Sequence, residues 1–177
     1  MALQRLEING YGQLELNQVA FRRNGRIEAQ CAIADGVEYI ENGMLLAVNN
    51  VKRVVEKVGE GGVYPIALHY STEHMYDERA NALKDFRLDA GSFLPRMGYL
   101  GAGDKYTTNC IAYDDAKYAT EDLLKTAIAG VTTKPLYAHV CANGAHLIND
   151  VADKAIAIVL GATTMPDGQY AVKFQAL

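Results

Sequence analysis

YAHVCANGAHLINDVADKAIAIVLGATTMPDGQYAVKFQ, residues 137–175, decides the fold of this chain. Two turn signals divide it. Asn143-Gly144 is a strong hairpin signal, because both residues tolerate the positive φ that a two-residue turn demands. The register it implies sets Val140 opposite Leu147, Ala142 opposite Ala145, and Cys141 across from His146. At Met165-Pro166-Asp167-Gly168, proline presets one φ and glycine supplies the positive one. Tyr170, Val172 and Phe174 then alternate with Ala171, Lys173 and Gln175, the period of a strand with one face buried.

The same vocabulary runs back toward the N-terminus. Leu14 and Leu16 alternate with Glu15 and Asn17. At Arg23-Asn24-Gly25, a three-residue loop with Gly25 left-handed pairs Phe21 with Ile27 and Val19 with Ala29, keeping apolar residues on one face. Leu14 and Leu16 then fall out of phase, which predicts a bulge near Asn17-Gln18 or a sheet covered on both faces. Further strands are expected at Met44–Val48, Val51–Val58, Tyr64–Tyr70 and Tyr106–Tyr113, with Gly59-Glu60-Gly61-Gly62 as a flexible loop. A helix is expected from an N-cap at Thr120 to a stop at Gly130, burying Leu123, Leu124, Ala127 and Ile128. A second, weaker helical pattern covers Glu73 to Phe86, with Tyr76, Ala80 and Leu83 on one face.

These elements predict a mainly β fold, a sandwich or barrel-like domain with one or two short helices; an α+β arrangement is the variant. Residues 1–177 read as a single domain, with Asp114-Asp115-Ala116-Lys117 as the candidate boundary of a smaller lobe. The composition fits: half of the 177 residues are apolar and 21% are charged, enough for a core without disulfide or metal. The net charge is −4. Basic residues gather only at Arg22, Arg23 and Arg26, which argues against nucleic acid as partner. Cys31, Cys110 and Cys141 form no CxxC, so free thiols in a cytoplasm are expected. The N-terminal residues lack the apolar run of a signal peptide, and no stretch is apolar enough for a membrane span.

No chemistry survives a spacing test. The stretch Tyr64 to Tyr113 is aromatic-rich and charged, and it reads as surface built for contact. Within it, His69-Tyr70-Ser71-Thr72-Glu73-His74 has one residue too many for a zinc-peptidase motif. Gly98 to Lys105 lacks the glycine spacing and the Ser/Thr of a phosphate loop. Asp77, Glu78, Asp85 and Asp89 sit among Arg79, Lys84 and Arg87, as on an ion-paired face. Cys141, His146 and His139 offer soft metal ligands on one predicted face, but no fourth ligand is near. No catalytic, cofactor-binding or metal-ligating residue is therefore expected. Eleven tyrosines without tryptophan suit contact surfaces, although strands also favour tyrosine.

Three blocks carry a resemblance: MALQRLEINGYGQLELNQVAFRRNGRIEAQ at the start, STEHMYDERANALKDFRL followed by FLPRMGYLGAGDKYTTNCIAYD in the middle, and TTMPDGQYAVKFQ at the end. Their texture resembles the auxiliary head proteins of tailed bacteriophages, the capsid cement or decoration proteins. The resemblance implies a non-enzymatic virion protein without cofactor, on the head exterior. Its implied partners are the major capsid protein and further copies of itself, often as trimers, with no direct nucleic acid and no membrane. A tail or baseplate component is the alternative, and a small metal-dependent hydrolase using the histidines is the rival from another class. The segment Leu3–Ile8 suits either the first strand of the chain's own sheet or a strand added to a neighbour's.

Overall fold

The computed structural model describes residues 3–58, 64–71, 82–91 and 94–177. Sixteen strands appear among them: β1 Leu3–Arg5, β2 Leu14–Gln18, β3 Ile27–Glu28, β4 Ala32–Ile33, β5 Tyr39–Glu41, β6 Leu45–Asn49, β7 Val54–Glu56, β8 Ile66–His69, β9 Arg87–Asp89, β10 Met97–Gly98, β11 Lys105–Thr108, β12 Ile111–Asp114, β13 Tyr137–Val140, β14 His146–Asn149, β15 Ala157–Thr164 and β16 Tyr170–Ala176. The helix α1 spans Glu121–Ala129. An eight-stranded sheet has the order β1-β12-β14-β13-β15-β16-β11-β2, a six-stranded sheet the order β3-β10-β8-β6-β7-β4, and β5 pairs with β9. The fold is mainly β, as the turn spacing predicts. Strands from both sides of Asp114–Lys117 belong to the eight-stranded sheet.

That sheet must curl. β11 ends at Thr108 and β12 starts at Ile111, yet four strands separate them in the sheet order. Three Cα–Cα steps of ~3.8 Å span at most about 11 Å. Five strand spacings of ~4.8 Å in a flat sheet would need about 24 Å. The sheet therefore rolls until β11 and β12 meet at a corner. Side chains hold that corner: Thr108 Oγ1 accepts the Cys110 N–H at 3.0 Å and donates to the Gln13 carbonyl at 2.7 Å, while Asn109 Oδ1 accepts the Gln13 N–H at 2.7 Å. Tyr106–Tyr113 is thus not one strand but two, broken where Thr108 and Asn109 offer the backbone local partners.

Residues alternate between two apolar clusters. Tyr106, Ile111, Ala138, Ile148, Ala157, Val159, Val172 and Phe174 fill the inside of the roll, with Leu124 and Ile128 of α1. Cys110, Ala112, Cys141 and Ala145 face the other way and pack with Leu46, Val48, Val55, Ala67 and Met97 of the six-stranded sheet. Both faces of β6 are covered, which explains its unbroken apolar text. α1 starts at Thr120, whose hydroxyl accepts the Leu123 N–H, and ends at Gly130. Leu123, expected in the buried stripe, is instead 52% exposed, while Leu124 and Ile128 are buried.

The hairpin registers differ from those expected. Val140 pairs with His146 and His139 with Leu147. The Cys141 N–H donates to the Ala145 carbonyl at 3.1 Å, leaving a three-residue loop with Gly144 at φ 87°. The last hairpin repeats this design: the Met165 N–H reaches the Gln169 carbonyl at 2.8 Å, and Gly168 has φ 85°. In both, a single left-handed glycine supplies a bulged three-residue turn, which at Asn143-Gly144 stands in place of the expected two-residue one. Gly25 is left-handed as expected, with φ 66°, but Phe21 and Ile27 do not pair. β2 joins β11 and β3 joins β10, in different sheets. The bulge expected near Asn17-Gln18 falls one residue earlier, where Leu16 and Asn17 together oppose Tyr106. The strand expected over Val51–Val58 is confined to Val54–Glu56, because Val51, Lys52 and Arg53 form a turn. Of the expected Glu73–Phe86 helix, Leu83–Asp85 form a 3₁₀ turn, Ala82 and Phe86 flank it in extended conformation, and the rest lies outside the described residues.

Candidate interaction surface

Among the described residues, the side chains that offered chemistry are engaged in hydrogen bonds within the chain. His69 is fully buried at the end of β8. Its Nδ1 donates to the Glu41 carbonyl at 2.7 Å, so its bare Nε2 accepts from Ser71 Oγ, also at 2.7 Å. This is the hydrogen-bond sense of a serine activated by a histidine. But Ser71 Oγ also accepts the Arg96 N–H at 2.9 Å, and so ties β8 to the segment entering β10. Burial pushes the His69 pKa down to about 4, against the opposing pull of the Glu41 carbonyl and charge. Glu73 and His74, the rest of that motif, lie outside the described residues.

The Cys141–His146–His139 grouping is taken apart by the one-residue change of register. Cys141 is now opposite Ala145, and His146 sits on the other face, inside the roll. There His146 stacks on Phe174 at 4.9 Å between ring centres and accepts the Tyr106 hydroxyl at 2.9 Å. Its Nδ1 donates to the Cys110 carbonyl at 3.2 Å, and burial lowers its pKa to about 4. His139 points elsewhere and bonds the Val151 carbonyl at 2.9 Å. No group of three or more potential metal ligands occurs among the described residues.

A buried ion pair escaped sequence reasoning. Glu41, 1% exposed, takes both terminal nitrogens of Arg5 and the Gly12 N–H at 2.5 Å. A lone carboxylate in the apolar text Tyr39 to Val48 was the signal available, since such a group is buried only with a partner. Among the carboxylates, Asp85 Oδ2 accepts the Ala82 N–H at 2.9 Å and Asp89 pairs with Arg87 at 2.7 Å; Asp77 and Glu78 lie outside the described residues. Lys117 and Lys134 both bond Asp150 and hold its carboxyl well below the usual range.

Gly98 to Lys105 is a structural turn. Asp104 accepts the Gly101 N–H at 2.9 Å and the Ala20 N–H at 2.9 Å, with Arg26 at 3.7 Å. Tyr70, Tyr106, Tyr113 and Tyr118 are buried, and every other tyrosine among the described residues is half-buried. The Arg87 guanidinium lies over the rings of both Tyr11 and Tyr39, at 5.1 and 4.9 Å from their centres.

What remains open is backbone. β1 is the first strand of the chain's own sheet, paired to β12, and among the described residues its other edge has no neighbour in the sheet. β2 closes the opposite end in the same way. Beside β2 lies a groove of about 670 Å³, lined by Leu16 to Ala20, Arg22 and Arg23 on one side and Ala102 to Asp104 on the other. The basic cluster seen in the sequence therefore splits: Arg26 turns in to Asp104 and Gly101, while Arg22 and Arg23 stand at the groove. No protein-family model, curated protein or solved structure matches this chain.

Proposed function

We propose that the chain is a structural virion protein that binds the outer surface of a tailed-phage head as a homo-oligomer. In that place it reinforces contacts between capsomers of the major capsid protein. The observation that supports this best is that, among the described residues, both end strands of the eight-stranded sheet have one edge without a sheet neighbour, while His69, His139, His146 and the buried Glu41 are committed to internal hydrogen bonds. Edges bind other polypeptides through main-chain hydrogen bonds. On a shell, many copies bound side by side need only weak individual contacts. The likeness of the three sequence blocks to phage auxiliary head proteins supplies the location.

The test is an inventory of the particle encoded with this chain. A copy number in the hundreds, with labelling on the head, is the expected result, and particles lacking the protein should open at lower temperature. A handful of copies at the tail would move the protein to the tail or baseplate. Absence from purified particles would end the reading.

A further inference from the structure

We propose that two copies of this chain pair through the outer edge of β15, antiparallel about a two-fold axis at Thr163.

Main-chain geometry carries the inference. β15 pairs with β16 from Ala157 to Thr164. On its other side, β13 meets only Ala157 and Ile158. The last bond on that side is from the Val159 N–H to the Leu136 carbonyl, at 2.9 Å. Between Val159 and Gly161 the register against β16 shifts by one residue. Such a bulge bends the strand that carries it, and beyond it β15 has left β13. The Met165 N–H donates to the Gln169 carbonyl, so Gly161 and Thr163 also face β16. Ala162 and Thr164 therefore turn their N–H and C=O groups away from it. Among the described residues no hydrogen bond reaches those groups. Leu160 is 40% exposed, and Ala162, Thr163 and Thr164 are exposed as well. α1 leaves this edge open because Leu124 and Ile128 pack with Val159 in the core of the roll.

Composition selects the occupant. Soluble proteins usually blunt a free edge with charge or proline. Leu160–Thr164 has neither, whereas β1 carries Arg5 and β2 carries Glu15. A net charge of −4 opposes self-association, so copies meet most readily where no like charges face each other. Of these three edges, β15 alone meets that condition. An unlike strand would be recognised by charges or large side chains, and Gly161 to Thr164 offer neither. In the antiparallel pair, Ala162 of each copy exchanges main-chain hydrogen bonds with Thr164 of the other. Thr163 then faces Thr163 across the axis, a favourable cross-strand pair. The contact is the same patch on both copies and closes as a dimer.

This inference deepens the homo-oligomer part of the proposed function, and the purified full chain tests it. Its failure leaves the location on the head standing, and absence from particles leaves the pairing standing. Sedimentation across a range of concentrations should show a monomer–dimer equilibrium. T163K sets like charges directly opposite each other and should weaken dimerisation at least ~10-fold. A162P removes an outward N–H from an exposed edge and should weaken it comparably; circular dichroism checks that both variants stay folded. Oxidation reads the register. T163C should give a disulfide-linked dimer, because the Cα spacing of ~4.5 Å at such a pair lies within disulfide reach. The native cysteines are buried, and V51C, exposed elsewhere, is the control. A wild-type chain that is monomeric at every concentration overturns the proposal. Self-association unchanged by T163K and A162P keeps an oligomer but overturns this edge, as does T163C crosslinking no faster than V51C.

Discussion

Acidification should unfold this protein through two histidines, and the effect can be calculated. His69 and His146 are each 0% exposed, and burial lowers both pKa values to about 4. In the unfolded chain a histidine titrates near ~6.5. Between these values the unfolded state holds more protons than the folded one, so stability falls as pH falls. At pH ~5 each histidine is almost fully protonated when unfolded and about one-tenth protonated when folded. The linkage relation then gives a loss of about 2 kcal/mol per histidine between pH 7 and pH 5, about 4 kcal/mol for the pair. Domains of this kind have ~5–15 kcal/mol in total, so the loss is easily measured. Urea unfolding, followed by circular dichroism at both pH values, supplies it. Carboxylates contribute to the wild-type slope, so the decisive quantity is the difference between proteins. H146Q should be less stable than wild type at pH 7, having lost the Tyr106 and Cys110 geometry. It should also lose about 2 kcal/mol less on going to pH 5, and H69Q should behave alike. Equal pH-dependent losses in wild type and both variants would refute the reasoning, because the histidines would then not be buried neutral.

Three further outcomes follow from the packing. Gly43 has φ 82°, and a Cβ there would stand 2.2 Å from Thr108 Oγ1 at the roll's corner, whereas Gly103 has φ 89° and open space; G43A should therefore cost ~3 kcal/mol or more and G103A ~1 kcal/mol in urea unfolding. Breaking the Arg5–Glu41 pair should cost about 3 kcal/mol for E41Q and more for R5M, because the Arg5 side chain is 30% exposed and can reach water while that of Glu41, at 1%, cannot; the reverse order would contradict the assigned burial. All three cysteines are buried, and burial pushes the Cys110 thiol up to about 12, so a thiol reagent at pH ~8 should label the native protein slowly and three sites in urea; rapid native labelling of Cys110 would show that the corner opens.

The sequence by itself determined what is local. Gly25, Gly144 and Gly168 are left-handed where the turn text requires it, α1 runs from Thr120 to Gly130, and β16 follows its alternation. These depend on φ preferences, capping and side-chain period over a few residues, which the text carries directly. The tertiary structure decided which strands meet and which residues face each other. The hairpin Asn143-Gly144 differs by one residue from its two-residue reading, and that step sends His146 into the core and separates it from Cys141. Gly25 is left-handed as read, yet Phe21 lies within the turn and in no strand, and the flanking strands β2 and β3 enter different sheets. The text Tyr106–Tyr113 reads as one strand, but the roll bends it at Thr108 and Asn109. Local turn chemistry is satisfied almost equally by neighbouring registers. The choice falls to long-range burial, here the need to close a curled sheet over one core and seat its outer face on another. That closure also makes β1 and β2 the end strands of the sheet among the described residues.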